Sequence, residues 1–342
     1  MCSSPVAAPA GVVAEVCAVH VYPVKSLGGF RVAAGARWQV AAQGLAHDRE
    51  WMVVGAGSGR FLSQRNVPSL AALRARLDLQ GGVLRVTHAG QQGQQGQQPT
   101  PDAAAEGARA PSLCVPLAAP VEAAALRPVE VRVWEWRGKA HDEGDAAADW
   151  LNRALGDAKP EGGVRLVRHD IRLGERPLDG SFVGGANNGG TRFSDGFPAL
   201  VASEESLAAL NAALAEKGEP AVPMDRFRAN VVIRGKGQPL APYAEDGLLR
   251  FEAGGVRFVM VKPCARCTMP SVDQATGVPT GSREPLRTLT ETRKGSMLGY
   301  TRKKMAGGGY FGANCVPELQ AGAESSLGEG DTVTALEQGT WT

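Results

Sequence analysis

The sequence predicts a β-rich α+β fold of barrel type with a few short helices. Many short segments alternate apolar and polar residues and are bounded by glycine, proline or other turn residues, which is typical of barrels. Helical spacing of apolar residues is rare by comparison. Of the 342 residues, 43% are apolar and 21% are charged, which is enough apolar material for one large domain or two of ordinary size.

Strands are predicted wherever the alternation persists. It is strictest over residues 129–136 (VEVRVWEW), which places Trp134 and Trp136 on one face of a single strand. Residues 248–252 and 256–262 are joined by Ala-Gly-Gly and predict a hairpin. The remaining predicted strands lie at residues 16–24, 51–54, 61–63, 230–233 and 331–336.

Two helices are predicted from their caps and apolar spacing. Residues 203–217 begin at Ser203, a good N-cap, and end before Gly218. A shorter helix is expected to begin at Asp145 as its cap and to end at Gly156.

The chain is predicted to divide into residues 13–160 and residues 161–340, with the KPEGG segment at 159–163 as the joint. A low-complexity insertion rich in Gln, Gly, Pro and Ala interrupts the first part at residues 88–112. It has little to bury, so we expect it to be exposed and mobile and to hold no site. Another flexible loop is expected at residues 187–190.

Charge and composition exclude several classes of protein. The 37 Lys and Arg residues nearly balance the 35 Asp and Glu residues, so binding to a nucleic acid polymer by bulk charge is not expected. No run approaches the roughly 20 apolar residues of a membrane span, and we expect no membrane anchor. The amino terminus lacks the features of a secretory signal, and the six cysteines are scattered. These features predict a cytoplasmic protein.

One glycine motif and one cysteine motif need a chemical interpretation. The glycines at 55, 57 and 59 have the wrong spacing for a dinucleotide site and predict a hairpin turn. Cys264 and Cys267 lack the further ligands that zinc or an iron–sulfur cluster requires. Thr268, Met269 and Pro270 disfavour the helix of a thioredoxin-type pair. The simplest interpretation of the pair is two buried structural thiols. We keep that interpretation for Cys264, but not for Cys267, because of the residues around Cys267.

The residues around Cys267 resemble the signature of MOSC-domain proteins. The run is LLRFEAGGVRFVMVKPCARCTMPSVDQATG, followed by EPLRTL. VYPVKSLGG and HDREWMVV resemble the family's amino-terminal barrel module, and FSDGFPALVASEESLAALN, FRANVVIRG and YFGANCV follow in the family's order. The resemblance covers residues 13–337 and is closest to the amidoxime-reducing component family. It implies a MOSC-type β-barrel core with an N-terminal MOSC β-barrel module.

The resemblance implies a molybdenum atom on a molybdopterin, held by the thiolate of Cys267. A soft thiolate suits such a metal, while Arg and Lys side chains suit the phosphate of the pterin. The residues in matching motifs, and so implied to bind the cofactor, are Lys25, Ser26, Arg49, Arg65, Ser194, Asp195, Arg228, Asn230, Arg266 and Asn314. Asn314 departs from the family, since animal members often have Tyr there. Asp273 is either a catalytic proton donor or a turn residue, and its sequence context favours the turn.

By the same resemblance, the chain is expected to reduce amidoximes, hydroxylamines and N-hydroxylated bases to amines, with reduction of nitrite to nitric oxide as a side activity. No haem, flavin or NAD motif is found, so electrons are expected from cytochrome b5 and its NADH-dependent reductase, or from another haem–flavin donor such as nitrate reductase. The alternatives are a molybdenum-cofactor carrier and a MOSC-type sulfur carrier. A sulfurase is disfavoured because the chain is expected to have no room for a pyridoxal-phosphate domain.

Overall fold

A computed structural model describes residues 11–89, 112–183, 189–319 and 325–340. The predicted insertion at 88–112 lies almost entirely outside these ranges, as do residues 187 and 188 of the expected loop. No helix in the described ranges is both long enough and apolar enough to span a bilayer.

The described elements are mostly strands. They are β1 (Gly11–Val21), β2 (Val24–Lys25), β3 (Phe30–Arg31), β4 (Arg37–Ala41), β5 (Gly44–Leu45), β6 (Trp51–Gly55), β7 (Leu73–Asp78), β8 (Val83–His88), β9 (Leu113–Pro116), β10 (Pro128–Val133), β11 (Trp136–Asp142), β12 (Val164–Arg168), β13 (Ala199–Ser203), β14 (Val231–Gly235), β15 (Leu248–Ala253), β16 (Val256–Ala265), β17 (Tyr310–Glu318), β18 (Ser326–Gly328) and β19 (Thr332–Gln338). The helices are α1 (Asp145–Leu155), α2 (Gly180–Val183), α3 (Glu204–Ala215), α4 (Leu286–Thr292) and α5 (Lys303–Ala306).

Seven strands form a closed barrel in the order β14-β13-β17-β16-β15-β19-β1, and β1 pairs again with β14 to close the ring. The pair β13–β14 is parallel, and the other pairs in the ring are antiparallel. Buried side chains such as Val16, Ile233, Phe251, Phe258 and Val333 form the core of the barrel. The predicted barrel is confirmed, and it draws strands from both ends of the chain.

A five-stranded sheet, β10-β11-β12-β6-β2, lies beside the barrel. Helix α1 belongs to the same core through Trp150 and Leu151, which cluster with Trp51 and Leu166. Two three-stranded sheets, β7-β8-β9 and β18-β4-β5, complete the described architecture. Strand β12 follows the expected joint but pairs with β6 before it. The division at residue 160 therefore stays a prediction.

Several predicted elements are confirmed in detail. Strands β15 and β16 form the expected hairpin. Helix α3 begins after Ser203, whose hydroxyl accepts a hydrogen bond from the backbone N–H of Ser206. Helix α1 has Gly144 rather than Asp145 at its N-cap, because a φ of 94° is available to glycine, and Asp145 is instead its first residue.

The single strand predicted over residues 129–136 is wrong. The chain reverses at Trp134 and Glu135, and Val133 pairs with Trp136 across the new hairpin. Trp134 adopts a left-handed φ of 55°. Apolar alternation continued through the turn because a tryptophan occupies it, so the pattern concealed the reversal. At residues 61–63, where a strand is predicted, Phe61 makes an isolated bridge to Val54 and no regular strand forms.

Candidate functional site

A pocket of about 290 Å³ lies where the barrel meets the five-stranded sheet. This volume is near the lower limit for small-molecule sites. Every residue named from the sequence except Asp273 lines it: Lys25, Ser26, Arg49, Arg65, Ser194, Asp195, Arg228, Asn230, Arg266, Cys267 and Asn314. The fold thus gathers polar and basic side chains that are far apart in the sequence.

Three of these residues have left-handed backbone conformations. The φ angles are 70° at Ser26, 47° at Arg49 and 58° at Arg228. Such conformations cost a non-glycine residue roughly 1–3 kcal/mol each and concentrate at functional sites. Strained conformations at these positions are consistent with side chains that point into a functional site. Residues suited to the turn alone would not need this strain.

Lys25 and Asp195 form an ion pair with a distance of 2.5 Å between Nζ and Oδ1. The Lys25 side chain is 6% exposed. Burial lowers the pKa of Lys25 to about 8, although the charge of Asp195 acts in the opposite direction. Burial alone would raise the pKa of Asp195, but the charge and hydrogen bond of Lys25 outweigh it and hold that pKa well below its ordinary value.

Arg49 and Arg228 approach the same aromatic ring. Their guanidinium carbons lie 4.5 Å and 4.3 Å from the centroid of Tyr22, respectively. Arg49 is paired with buried Asp48 at 2.5 Å. Burial, and then the charge of Arg49, lower the pKa of Arg228 to about 10. Two like charges close together at the pocket favour the binding of an anionic ligand there.

Arg228 and Arg266 each retain an unused hydrogen-bond donor. Arg228 Nη1 donates to the carbonyl of Leu27 at 2.6 Å, and Arg266 Nη2 donates to that of Phe227 at 2.9 Å. Arg228 Nη2 and Arg266 Nε are buried and have no hydrogen-bond partner within the described ranges. Leaving such donors unsatisfied costs about 1–3 kcal/mol each, which a bound acceptor would remove.

Cys267 is half-buried and faces the pocket just after β16. Its neighbour Cys264 also lines the pocket, and Arg266 Nη1 lies 3.1 Å from the Cys264 sulfur. The backbone N–H of Arg266 donates to the carbonyl of Gly309, which fixes the segment between the two cysteines. The structure thus does not bury Cys264 as a sealed core thiol.

The shorter polar residues mainly shape the pocket. Buried Arg176 holds the Ser194–Asp195 segment by donating to both of its carbonyls. Asn230 accepts from the backbone N–H of Leu200 and donates to the carbonyl of His20, and Asn314 Nδ2 donates to the carbonyl of Lys262.

Asp273 lies outside the pocket lining and closes a turn. Its Oδ1 accepts from the backbone N–H groups of Ala275 and Thr276, and its Oδ2 pairs with Arg226 at 2.8 Å. Although burial acts to raise it, these hydrogen bonds and the charge of Arg226 lower the pKa of Asp273. This geometry is that of a turn residue, and a catalytic role for Asp273 stays a prediction.

Sequence reasoning missed several residues at the site. Lys262 lines the pocket, and its Nζ lies 3.6 Å from the ring centroid of Phe182. Phe197 and Phe227 add apolar walls. Lys262 stands two residues before Cys264, so proximity to the motif was an available signal. Phe197 and Phe227 lie inside the family motifs FSDGFPALVASEESLAALN and FRANVVIRG, so the same signal was available for them.

Two family models match this chain. The MOSC N-terminal beta barrel domain matches residues 13–158, and the MOSC domain matches residues 188–334. The chain belongs to the MOSC-domain family. The resemblance seen in the sequence is thereby confirmed at the level of the family.

Similar proteins named molybdenum cofactor sulfurase occur in Pyricularia oryzae (30% identity, 82% of this chain and 37% of the relative), Aspergillus terreus (30%, 85% and 38%) and Oryza sativa subsp. japonica (31%, 82% and 31%). This MOSC-family chain thus spans less than two fifths of their length. The solution structure of a protein from Bordetella bronchiseptica covers 40% of this chain and 88% of its own at 20% identity, with a TM-score of 0.26. That likeness is too weak to inform the fold.

Proposed function

We propose that this chain is a molybdenum-cofactor-dependent reductase of N-hydroxylated compounds, of the amidoxime-reducing type. One observation carries the proposal: an accessible thiol, Cys267, shares a pocket with two arginines that have unused donors, Arg228 and Arg266. A thiolate and free guanidinium donors together match a ligand that has a soft metal at one end and a phosphate at the other.

The residues present fit this cofactor. Cys267 would hold the metal, and the guanidinium groups of Arg49, Arg228 and Arg266 would meet the phosphate and the polar ring system. Lys25 adds a point charge. When bound, the cofactor supplies the two-electron chemistry by which R–NHOH, with two protons, becomes R–NH2 and water.

The side chains contribute binding, orientation and control of water. Phe197, Phe227 and Met269 give the pocket apolar walls. In that setting, hydrogen bonds from charged donors are stronger than in water. Ion pairs such as Lys25–Asp195 hold the donors in place before a ligand arrives.

We further propose that electrons come from an external haem–flavin chain in the cytoplasm. Cytochrome b5 with NADH-cytochrome b5 reductase, or nitrate reductase, would serve as donor. Reduction of nitrite to nitric oxide is a secondary activity in this proposal.

Elemental analysis combined with turnover tests the proposal. We expect about one molybdenum atom per chain. We also expect the chain to catalyse the reduction of benzamidoxime when a chemical reductant supplies the electrons. Cys267→Ala should lose both the metal and the turnover, whereas Cys264→Ala should keep at least part of each. Full activity in Cys267→Ala would refute the assignment of the ligand.

A second candidate is a sulfur carrier that acts on the molybdenum cofactor. It is favoured by the name of the relatives and by the presence of Cys264 beside Cys267 in one pocket. Mass spectrometry distinguishes the two candidates. A persulfide on either cysteine, in a chain that binds the cofactor without reducing benzamidoxime, would support the carrier. Cofactor binding with neither persulfide nor turnover would indicate a simple cofactor carrier.

A further inference from the structure

Trp134 occupies an unusual place for a tryptophan. It lies at the tip of the β10–β11 hairpin with a left-handed φ of 55°, a conformation that glycine or asparagine adopts more readily. The residue is 40% exposed, and it is the only aromatic residue among the exposed large apolar residues in the described ranges. Neither turn geometry nor core packing explains this choice of residue.

The contacts of Trp134 place it at the rim of the pocket. Its indole N–H donates to Asp195 Oδ1 at 3.2 Å, and the guanidinium carbon of Arg65 lies 4.4 Å from its ring centroid. Both partners line the pocket. Phe61 meets the indole edge to face at a centroid distance of 5.1 Å. Trp134, Arg65 and Phe61 thus form one cluster of planar groups beside the pocket, with Arg65 over the face of the indole and Phe61 packed edge to face against it; we call this cluster the aromatic rim.

The guanidinium group of Arg65 is held mainly by stacking. It makes no ion pair or hydrogen bond within the described residues. A guanidinium group that is stacked on an indole presents a flat, charged face to a further aromatic ring. Such surfaces bind conjugated ligands. Arg65, the cation of the rim, and the proposed metal ligand Cys267 line the same pocket, so a ligand that reaches the thiol could contact the rim with its remote end.

We infer that the aromatic rim is a substrate-selecting platform, and that it favours N-hydroxylated compounds attached to a planar aromatic ring over aliphatic ones. This inference rests on the proposed reductase function. Trp134 is the specificity-determining residue of this platform. It contacts the substrate ring directly, or it stacks on Arg65, which in turn stacks on the substrate.

Replacement of Trp134 by asparagine tests the platform without straining the turn, since asparagine tolerates a positive φ. The cofactor-loaded chain is assayed with benzamidoxime and with acetamidoxime, using reduced methyl viologen as electron source. In Trp134→Asn, the ratio of the KM for benzamidoxime to that for acetamidoxime should rise about five- to tenfold, the size of one lost aromatic contact.

Two further variants control this experiment. Trp134→Phe keeps a ring but loses the indole N–H, and it should restore the ratio to within about twofold of the wild type. Leu79→Asn changes an exposed apolar residue next to another hairpin, β7–β8, away from the pocket lining, and it should leave the ratio unchanged. An unchanged ratio in Trp134→Asn, or an equal rise in KM for both substrates, overturns the platform.

A binding measurement separates this inference from the reductase proposal. Titration of benzamidoxime into the chain, followed by ligand NMR, should show a dissociation constant about five- to tenfold higher in Trp134→Asn. If the loaded wild type reduces neither substrate but this difference appears, the reductase proposal fails and the platform stands. An effect of Trp134→Asn that appears only with a protein electron donor identifies the rim as a docking surface and overturns the inference.

Discussion

Four of the cations that line the pocket fall into two sets, which are satisfied in different ways. In the first set, Lys25 pairs with Asp195 and Arg49 pairs with Asp48; we call these residues the paired wall. In the second set, Arg228 and Arg266 donate to backbone carbonyls, make no ion pair within the described ranges, and each keep one buried donor without a partner. We call this the open wall.

The difference separates architecture from binding. An ion pair that is already formed gains little from a new anion, because part of the cation's charge is neutralised. An unpaired guanidinium that is buried gains both charge compensation and a missing hydrogen bond. We therefore expect the paired wall to keep the pocket in shape and the open wall to supply most of the binding energy for the proposed anionic ligand.

The largest expected effect on cofactor retention comes from Arg228→Met. Loss of a charged donor from the open wall should weaken cofactor retention about 10- to 100-fold, which corresponds to about 1.5–3 kcal/mol. Because an unsatisfied buried cation is removed, the free energy of unfolding of the cofactor-free chain should hardly fall. Molybdenum per chain after dialysis and urea unfolding measure the two quantities.

Arg49→Met is the matched change on the paired wall. It leaves the carboxylate of Asp48, 2% exposed, without its partner, so it should lower the free energy of unfolding by about 3 kcal/mol. If Arg228→Met lost stability and Arg49→Met lost only cofactor, the assignment of the two walls would be reversed.

A smaller effect should distinguish the walls by pH. The pKa of Lys25 is about 8 and that of Arg228 about 10, so the paired wall loses positive charge first as the pH rises. Cofactor retention should therefore decrease moderately above pH 8. Lys25→Arg should flatten that decrease between pH 8 and 9.5, since arginine stays charged. Molybdenum content after incubation at each pH measures retention, and an identical profile in both proteins would contradict this prediction.

Lys25 also leads to a prediction about stability. Here a rising pH should have a favourable effect, opposite to its effect on cofactor retention. The pKa of Lys25 is below its ordinary value of 10.5, so between pH 8 and 10.5 the folded chain binds fewer protons than the unfolded chain. The contribution of Lys25 to the free energy of unfolding therefore increases with pH over that window. Urea unfolding of the wild type and Lys25→Met, which lacks this group, should diverge accordingly.

The sequence allowed the barrel and most of the pocket to be predicted for different reasons. The barrel followed from period-two alternation, as in the β15–β16 hairpin. The pocket residues were predicted from family motifs. Such motifs indicate which residues share a site, but they do not show how those residues are arranged in space. Alternation failed at residues 129–136, because the two-residue turn holds an apolar side chain, Trp134, in a conformation that its residue type disfavours.

What the sequence could not show was how each charge is satisfied. Lys25 and Asp195 were both named as candidate ligands, but they are separated by 170 positions and only the fold makes them an ion pair. Tyr22 receives two guanidinium groups, and no local pattern predicts that. The distinction between the paired and open walls is therefore a property of tertiary structure alone.

The smallest expected effect concerns the support of the open wall. Arg226 lies two residues before Arg228, and Asp273 lies six residues after Cys267, so their ion pair ties together the turns that carry a cation and the proposed metal ligand. Asp273→Asn keeps the size of the side chain but removes the charge, and it should cost about 1 kcal/mol of stability and weaken cofactor retention only a few-fold. Benzamidoxime turnover per bound molybdenum separates the two roles of Asp273. A turn residue leaves that rate nearly unchanged, whereas an essential proton donor would lower it by about 100-fold or more.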